Sequence, residues 1–129
     1  MSHFSEIKTR MKNGAVLKRT LARLGCQMED AEGGVTVRGF MGNEMKGEFK
    51  VLTDTTYDIG FVKDAEGNYE LVADWELMPK VAGIEQTEFT NRIKREYART
   101  SILELAKERG MEVETTENDG AIEMVVSQW

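Results

Sequence analysis

The strongest pattern in the chain is a period of two on either side of a polar break in residues 57–75. Tyr57, Ile59 and Phe61 share one side, and Asp58, Gly60 and Val62 share the other. After the break K-D-A-E-G-N, Tyr69, Leu71, Ala73 and Trp75 form a second apolar row. Alternating aromatic and β-branched residues predict half-buried strands, and the Gly-containing break predicts the hairpin that joins them. Phe49, Val51 and Thr53 form the preceding row, with Glu48 and Lys50 opposite. Before that, residues 26–30, a turn at Glu32-Gly33-Gly34 and residues 35–40 predict another hairpin.

Two stretches change to helical spacing. In residues 5–24, Ile7, Met11, Val16, Leu17, Leu21 and Leu24 make an apolar stripe, with Ser5 as a candidate cap and Gly25 as the stop. Asn13-Gly14 interrupts this pattern, so an alternative start for the helix proper is Ala15. In residues 87–109, Phe89, Ile93, Tyr97, Ile102 and Leu105 repeat the stripe, with Thr87 as a candidate cap and Gly110 as the stop. Strand pairing has to end before the only proline, Pro79, which donates no backbone hydrogen bond. A last hairpin is predicted from residues 111–115 and 121–127 across Glu117-Asn118-Asp119-Gly120.

The resulting class is α+β: one domain over residues 1–129, an antiparallel sheet with two amphipathic helices packed on one face, in the order α-β-β-β-β-β-α-β-β. The other face is left to solvent or a partner. The two ends share the series helix, Gly stop, acidic strand, Gly turn, strand. That series fits either two related α-β-β units or common turn chemistry. The predicted core is Leu17, Leu21, Phe49, Val51, Ile59, Phe61, Leu71, Ala73, Phe89, Ile93, Tyr97 and Ile102.

Register follows from keeping apolar rows together, because a one-residue slip reverses a strand's faces. Phe61 then pairs with Leu71, Ile59 with Ala73, Phe49 with Phe61 and Val51 with Ile59, leaving residues 64–68 as the loop. On the opposite face Asp58 falls across from Asp74, with Lys50 on the diagonal. Two carboxylates so placed repel. Solvent, Lys50, Arg38, His3, a bound cation or a shared proton could relieve them.

Composition narrows the class further. Hydrophobic residues make up 40% and charged residues 31% of 129, as in ordinary globular proteins. No run is long and apolar enough for a membrane span or a signal peptide, and the one cysteine, Cys26, has no internal disulfide partner. These features lead us to expect a cytoplasmic protein with no membrane association, and Cys26 as a small packed thiol. The net charge of −6 is uneven. Residues 1–25 carry six Lys/Arg and one Glu, whereas residues 26–90 carry five basic and fourteen acidic residues. An acidic centre makes a poor phosphate-binding face, so nucleic-acid binding is disfavoured and could only use the basic first helix.

The sequence contains no Cys/His cluster, phosphate-binding Gly loop or Ser-nucleophile motif, and no cofactor is expected. The candidate site is therefore His3, Arg38, Lys50, Asp58 and Asp74, read either as a cation- or proton-binding carboxylate pair or as a solvated, ion-paired sheet face. Trp129 is either packed under a helix or offered to a partner.

S-H-F-S-E-I-K-T at 2–9, T-V-R-G-F at 36–40, Y-D-I-G-F-V at 57–62 and Y-E-L-V-A-D-W at 69–75 carry a resemblance, supported by R-E-Y-A at 95–98 and the closing I-E-M-V-V-S-Q-W. The chain resembles the conserved proteins of cyanobacteria, red-algal plastids and some phages related to hypothetical chloroplast reading frame thirty-five. Residues 41–45 and 76–86 depart from that pattern. The resemblance implies an uncharacterised function with no catalytic residue to transfer, a stromal location in plastid-encoded relatives, and a connection to an ATPase of the AAA type, near whose genes the family's genes often lie. The reading that follows is a non-enzymatic interaction or adaptor module with a protein partner. The alternatives are a small metal-binding domain or enzyme built on Asp58 and Asp74, and, after it, nucleic-acid binding.

Overall fold

A computed structural model describes residues 3–118 and 121–128; the Asp119-Gly120 turn positions and Trp129 lie outside them. The elements are β1 (Ser5–Lys8), α1 (Gly14–Arg23), β2 (Gln27–Arg38), β3 (Glu44–Leu52), β4 (Asp58–Lys63), β5 (Tyr69–Ala73), α2 (Met78–Val81), α3 (Gln86–Glu108), β6 (Met111–Asn118) and β7 (Ala121–Gln128). Five strands form an antiparallel sheet in the order β1-β5-β4-β3-β2, and β6 with β7 forms a separate two-stranded sheet.

The α+β class and its antiparallel sheet agree with the sequence reading. So does the central register: Phe49 pairs with Phe61, Val51 with Ile59, Phe61 with Leu71 and Gly60 with Val72. One face of this sheet carries Phe49, Val51, Ile59, Phe61, Leu71 and Ala73. Leu17 and Leu21 of α1 and Phe89 and Ile93 of α3 pack with them in a single buried cluster. Both helices therefore cover the same face. The Phe49 and Phe61 rings stack at 4.8 Å. Gly25 (φ 80°) and Gly110 (φ 66°) take the left-handed conformation that ends each helix.

Several boundaries differ for identifiable reasons. The first helix begins at Gly14, capped by Asn13, whose side chain accepts from the Val16 N–H. Ser5 is instead the first residue of β1 and pairs with Ala73. The apolar residues of 5–11 matched a helical stripe, but a free sheet edge at β5 captured them. α3 is capped by Glu85, not Thr87. Residues 26–40 do not form a hairpin. They make one long strand with a register shift between Asp30 and Val35, so Glu32-Gly33-Gly34 is a bulge. With that hairpin gone, the N-terminal α-β-β unit has no counterpart to the closing β6–β7 pair. Ile102 is 36% exposed and so is not core, and Tyr97 is half-buried.

The second face of the sheet is not open either. Beyond the bulge, β2 turns over it. Val37 is fully buried and lies so close on Gly60 that a Cβ there would collide with its methyl groups. Phe4 packs likewise on Gly39, with its ring 2.7 Å from where a Cβ would stand. Val72 is buried beneath this cover.

Candidate functional site

Three of the five expected residues meet where β2 folds over the sheet. Asp58, the first residue of β4, is completely buried. Its Oδ2 accepts from the Arg38 backbone N–H at 2.9 Å, Arg38 Nε at 2.8 Å and Lys50 Nζ at 2.9 Å; its Oδ1 accepts from Arg38 Nη2 at 2.8 Å. The Arg38 contact is thus the bidentate fork that suits a carboxylate. Lys50, itself buried, also donates to the Thr36 carbonyl at 2.7 Å and forms an ion pair with Glu29 at 3.1 Å. Burial alone would raise the Asp58 carboxyl, but the hydrogen bonds from Arg38 and Lys50 outweigh it and hold it below the ordinary aspartate value.

This geometry identifies what relieves Asp58: two basic side chains and a backbone amide. The carboxylate is saturated by donors, and the ammonium is held by two hydrogen bonds and a second carboxylate. The cluster ties β2, β3 and β4 together under the folded-over strand. Glu29 was missed at the sequence level, yet its position was recoverable. Pairing the acidic segment 26–30 with β3 sets Glu29 directly opposite Lys50.

Asp74 behaves differently. The β4–β5 ladder ends at Gly60↔Val72, so the Asp58–Asp74 pairing lies just beyond it. Asp74 is 1% exposed, and neither of its carboxylate oxygens has a hydrogen-bond partner among the described residues. Its backbone carbonyl accepts the Leu77 and Met78 N–H groups and so starts α2. His3 is exposed, two residues ahead of the Ser5↔Ala73 pair, at the same end of the sheet. The structure therefore joins Arg38, Lys50 and Asp58 and leaves Asp74 and His3 outside their hydrogen-bond network. Among the described residues, no group of three or more His, Cys, Asp or Glu side chains could hold a metal ion.

A second region has an interface's chemistry. In the β6–β7 sheet, Val113 pairs with Val126, Glu114 with Val125 and Thr115 with Met124. Alternation puts Met111, Val113, Met124 and Val126 on one side, and Glu112, Glu114, Glu123 and Val125 on the other. The first set faces the end of α3 but stays partly open, with Leu105 47% and Val126 46% exposed, and Val125 on the opposite side is 51% exposed. The two strands carry Glu112, Glu114, Glu117 and Glu123 and no basic residue. Neither strand pairs with the five-stranded sheet, so the outer edges of both are without strand partners among the described residues. Sequence patterning found these strands. It could not show that they stand apart from the main sheet.

Fold and site define a small α+β protein whose Arg38–Lys50–Asp58 cluster is internally paired, with exposed apolar residues at its C-terminal hairpin and, among the described residues, also at Met41, Val81 and Ile102. No helix among the described residues is long and apolar enough to cross a membrane. The chain belongs to the family described as "Protein of unknown function (DUF1257)", which residues 20–125 match. Similar over its full length are proteins named "Uncharacterized protein ycf35" from Cyanophora paradoxa (30% identical), Guillardia theta (31%) and Pyropia yezoensis (30%), each matched over 98% of its own length. No solved structure matches the chain.

Proposed function

We propose that this protein is a non-enzymatic interaction module that docks a basic, partly apolar extended segment of a protein partner on β6–β7 and the end of α3. The observation that carries this reading is the hairpin itself. It has exposed valines, four glutamates and no basic residue within its two strands, and outer strand edges without strand partners among the described residues. An isolated two-stranded sheet is marginally stable, and a third strand would complete it. Valine pockets would take the segment's apolar residues, and the glutamates would take its Lys or Arg. An AAA-type ATPase is the partner that the family resemblance suggests.

The alternative of a cation or catalytic site at Asp58 has less support, because Arg38 and Lys50 already occupy that carboxylate. The basic first helix is also partly engaged, with Lys18 on Asp30 and Arg19 on Glu104.

Affinity capture from the native host, with quantitative mass spectrometry, tests the proposal. A partner should be retained by wild type, lost with Leu105→Glu or Val126→Glu, and released by moderate salt. Retention of every partner by both variants overturns the proposal. Loss of a homodimer in sedimentation, with no other chain recovered, would make a second copy the occupant instead.

A further inference from the structure

Among the described residues, every outer strand but one is guarded against pairing. An outer strand offers its unpaired N–H and C=O groups to any other strand, and proteins blunt such edges by shortness, charge, proline or a bulge. β1 has four residues, two of them charged. β2 carries the bulge and Glu29, Asp30 and Glu32. β6 carries Glu112, Glu114 and Glu117. β7 has eight residues, a regular ladder with β6, a single charge at Glu123 and no proline. Its centre is apolar on both sides: Met124 and Val126 lie toward α3, and Val125 lies on the opposite side. Every second residue of β7 turns its N–H and C=O away from β6. β7 thus has the side chains of an inner strand in an outer place.

The order of those side chains fits β7 to itself. An antiparallel pair centred on Val125 sets Val125 against its own copy on one face. On the other face it sets Met124 against the second copy's Val126. Glu123 then falls opposite Ser127, so no like charges meet across the pair. A two-fold axis normal to the sheet relates the copies and keeps both α3 helices on one face. β6 does not fit itself in this way. Centred on Glu114 it opposes two glutamates, and centred on Val113 it sets Glu112 against Glu114.

We propose that two copies of this chain pair antiparallel through β7, centred on Val125, to form a continuous four-stranded sheet in the order β6-β7-β7-β6. A two-stranded sheet is marginal alone, whereas four strands backed by two helices are not. The glutamate-bearing β6 strands lie at the outer edges of the joined sheet, which is where a basic segment would then dock. The dimer does not depend on that segment.

Sedimentation equilibrium of the purified full chain at submillimolar concentration tests this. Wild type should have the mass of two chains and should keep it in moderate salt, which screens the repulsion between two acidic copies but releases a basic partner. Val125→Glu and Val125→Lys change a half-exposed position outside the core, so circular dichroism should be unchanged. Each should be monomeric, because each sets like charges directly opposite one another. An equimolar mixture of the two should regain the dimer as a mixed pair. Glu112→Gln with Glu114→Gln should leave the dimer intact while weakening retention of a basic partner, so the two readings fail separately. A monomeric wild type overturns the dimer, as do charged variants that dimerise as well as wild type. A mixture that stays monomeric overturns the centring on Val125.

Discussion

Replacing Asp58 with Asn removes one charge and almost no volume, so it isolates the electrostatics of the folded-over strand. In the native protein, four donor contacts converge on this buried carboxylate. The amide can keep the Arg38 backbone contact through its oxygen, but its NH₂ group then points a donor at a donor. Arg38 is 42% exposed along its side chain and can turn to water, whereas Lys50 is 7% exposed and cannot. The ammonium is left with Glu29, itself half in solvent, and the Thr36 carbonyl. Removing one partner of a buried pair typically costs about 3–5 kcal/mol, most of it from the stranded charge. With a urea m-value of roughly 1–3 kcal/mol/M, the midpoint should fall by about 1 M or more.

Urea unfolding followed by tryptophan fluorescence measures this shift. Asp30→Asn, which breaks the exposed Lys18 pair, serves as the surface control and should cost no more than about 1 kcal/mol. Adding Lys50→Met to Asp58→Asn should recover part of the loss, because it removes the stranded charge. An unchanged or raised midpoint for Asp58→Asn would refute the reasoning, as it would mean that the Arg38–Lys50–Asp58 cluster contributes nothing as an ionic unit.

The same cluster sets an acid limit. Because the folded-state value of Asp58 is depressed, its contribution is fully present above the unfolded aspartate value of about 3.9 and is lost as pH falls below it through the folded value. The urea midpoint of wild type should therefore drop more steeply below pH 4 than that of Asp58→Asn, and parallel curves would count against it. Phe61→Ala, at a fully buried ring stacked on Phe49, should cost about 3–5 kcal/mol in the same assay, and a cost under about 1 kcal/mol would mean the helix-covered face is misassigned. Gly60→Ala should cost about 1–3 kcal/mol through collision with Val37, and Val37→Ala should relieve that collision in the double variant; failure of the rescue would remove the account of how β2 covers the sheet. The Tyr69 phenol is raised by burial and by its hydrogen bond to Glu48, so an alkaline ultraviolet titration should show a late ionisation, well above the ordinary tyrosine value of about 10, that disappears in Tyr69→Phe. Its contribution to stability is full below about pH 10 and lost as pH rises above it through the folded value, and the absence of a late ionisation that Tyr69→Phe removes would contradict the burial.

Sequence patterning recovered what depends on neighbouring residues and failed where a distant partner decided the outcome. The register of β3, β4 and β5 was legible because every slip would have put Phe49, Phe61 or Leu71 into water. The sequence therefore placed Asp58 and Lys50 on one face and offered Lys50 and Arg38 as its partners. β1 was not legible: Ile7 and Met11 fit a helical stripe as well as an edge strand, and only the vacancy beside β5 decides between them. The bulge at residues 31–34 was read as a turn because Gly33 and Gly34 supply positive φ to either.

The error at the bulge also explains why the sheet's second face was expected to be wet. A hairpin at Gly33-Gly34 would have left β2 short and Arg38 free to approach Asp58 only as a flexible side chain. One continuous strand instead carries Arg38 and Val37 together across the sheet, so the bidentate ion pair and the Val37–Gly60 contact arise from the same backbone path. The alternation at 57–62 contains this information in the single small residue of its polar row. Gly60 stands where a cross-strand side chain would otherwise project, and that gap admits the covering strand. A glycine at the centre of a regular strand weakens it unless something approaches closely. Here the approach is what buries Asp58 and turns a surface carboxylate into the anchor of the fold.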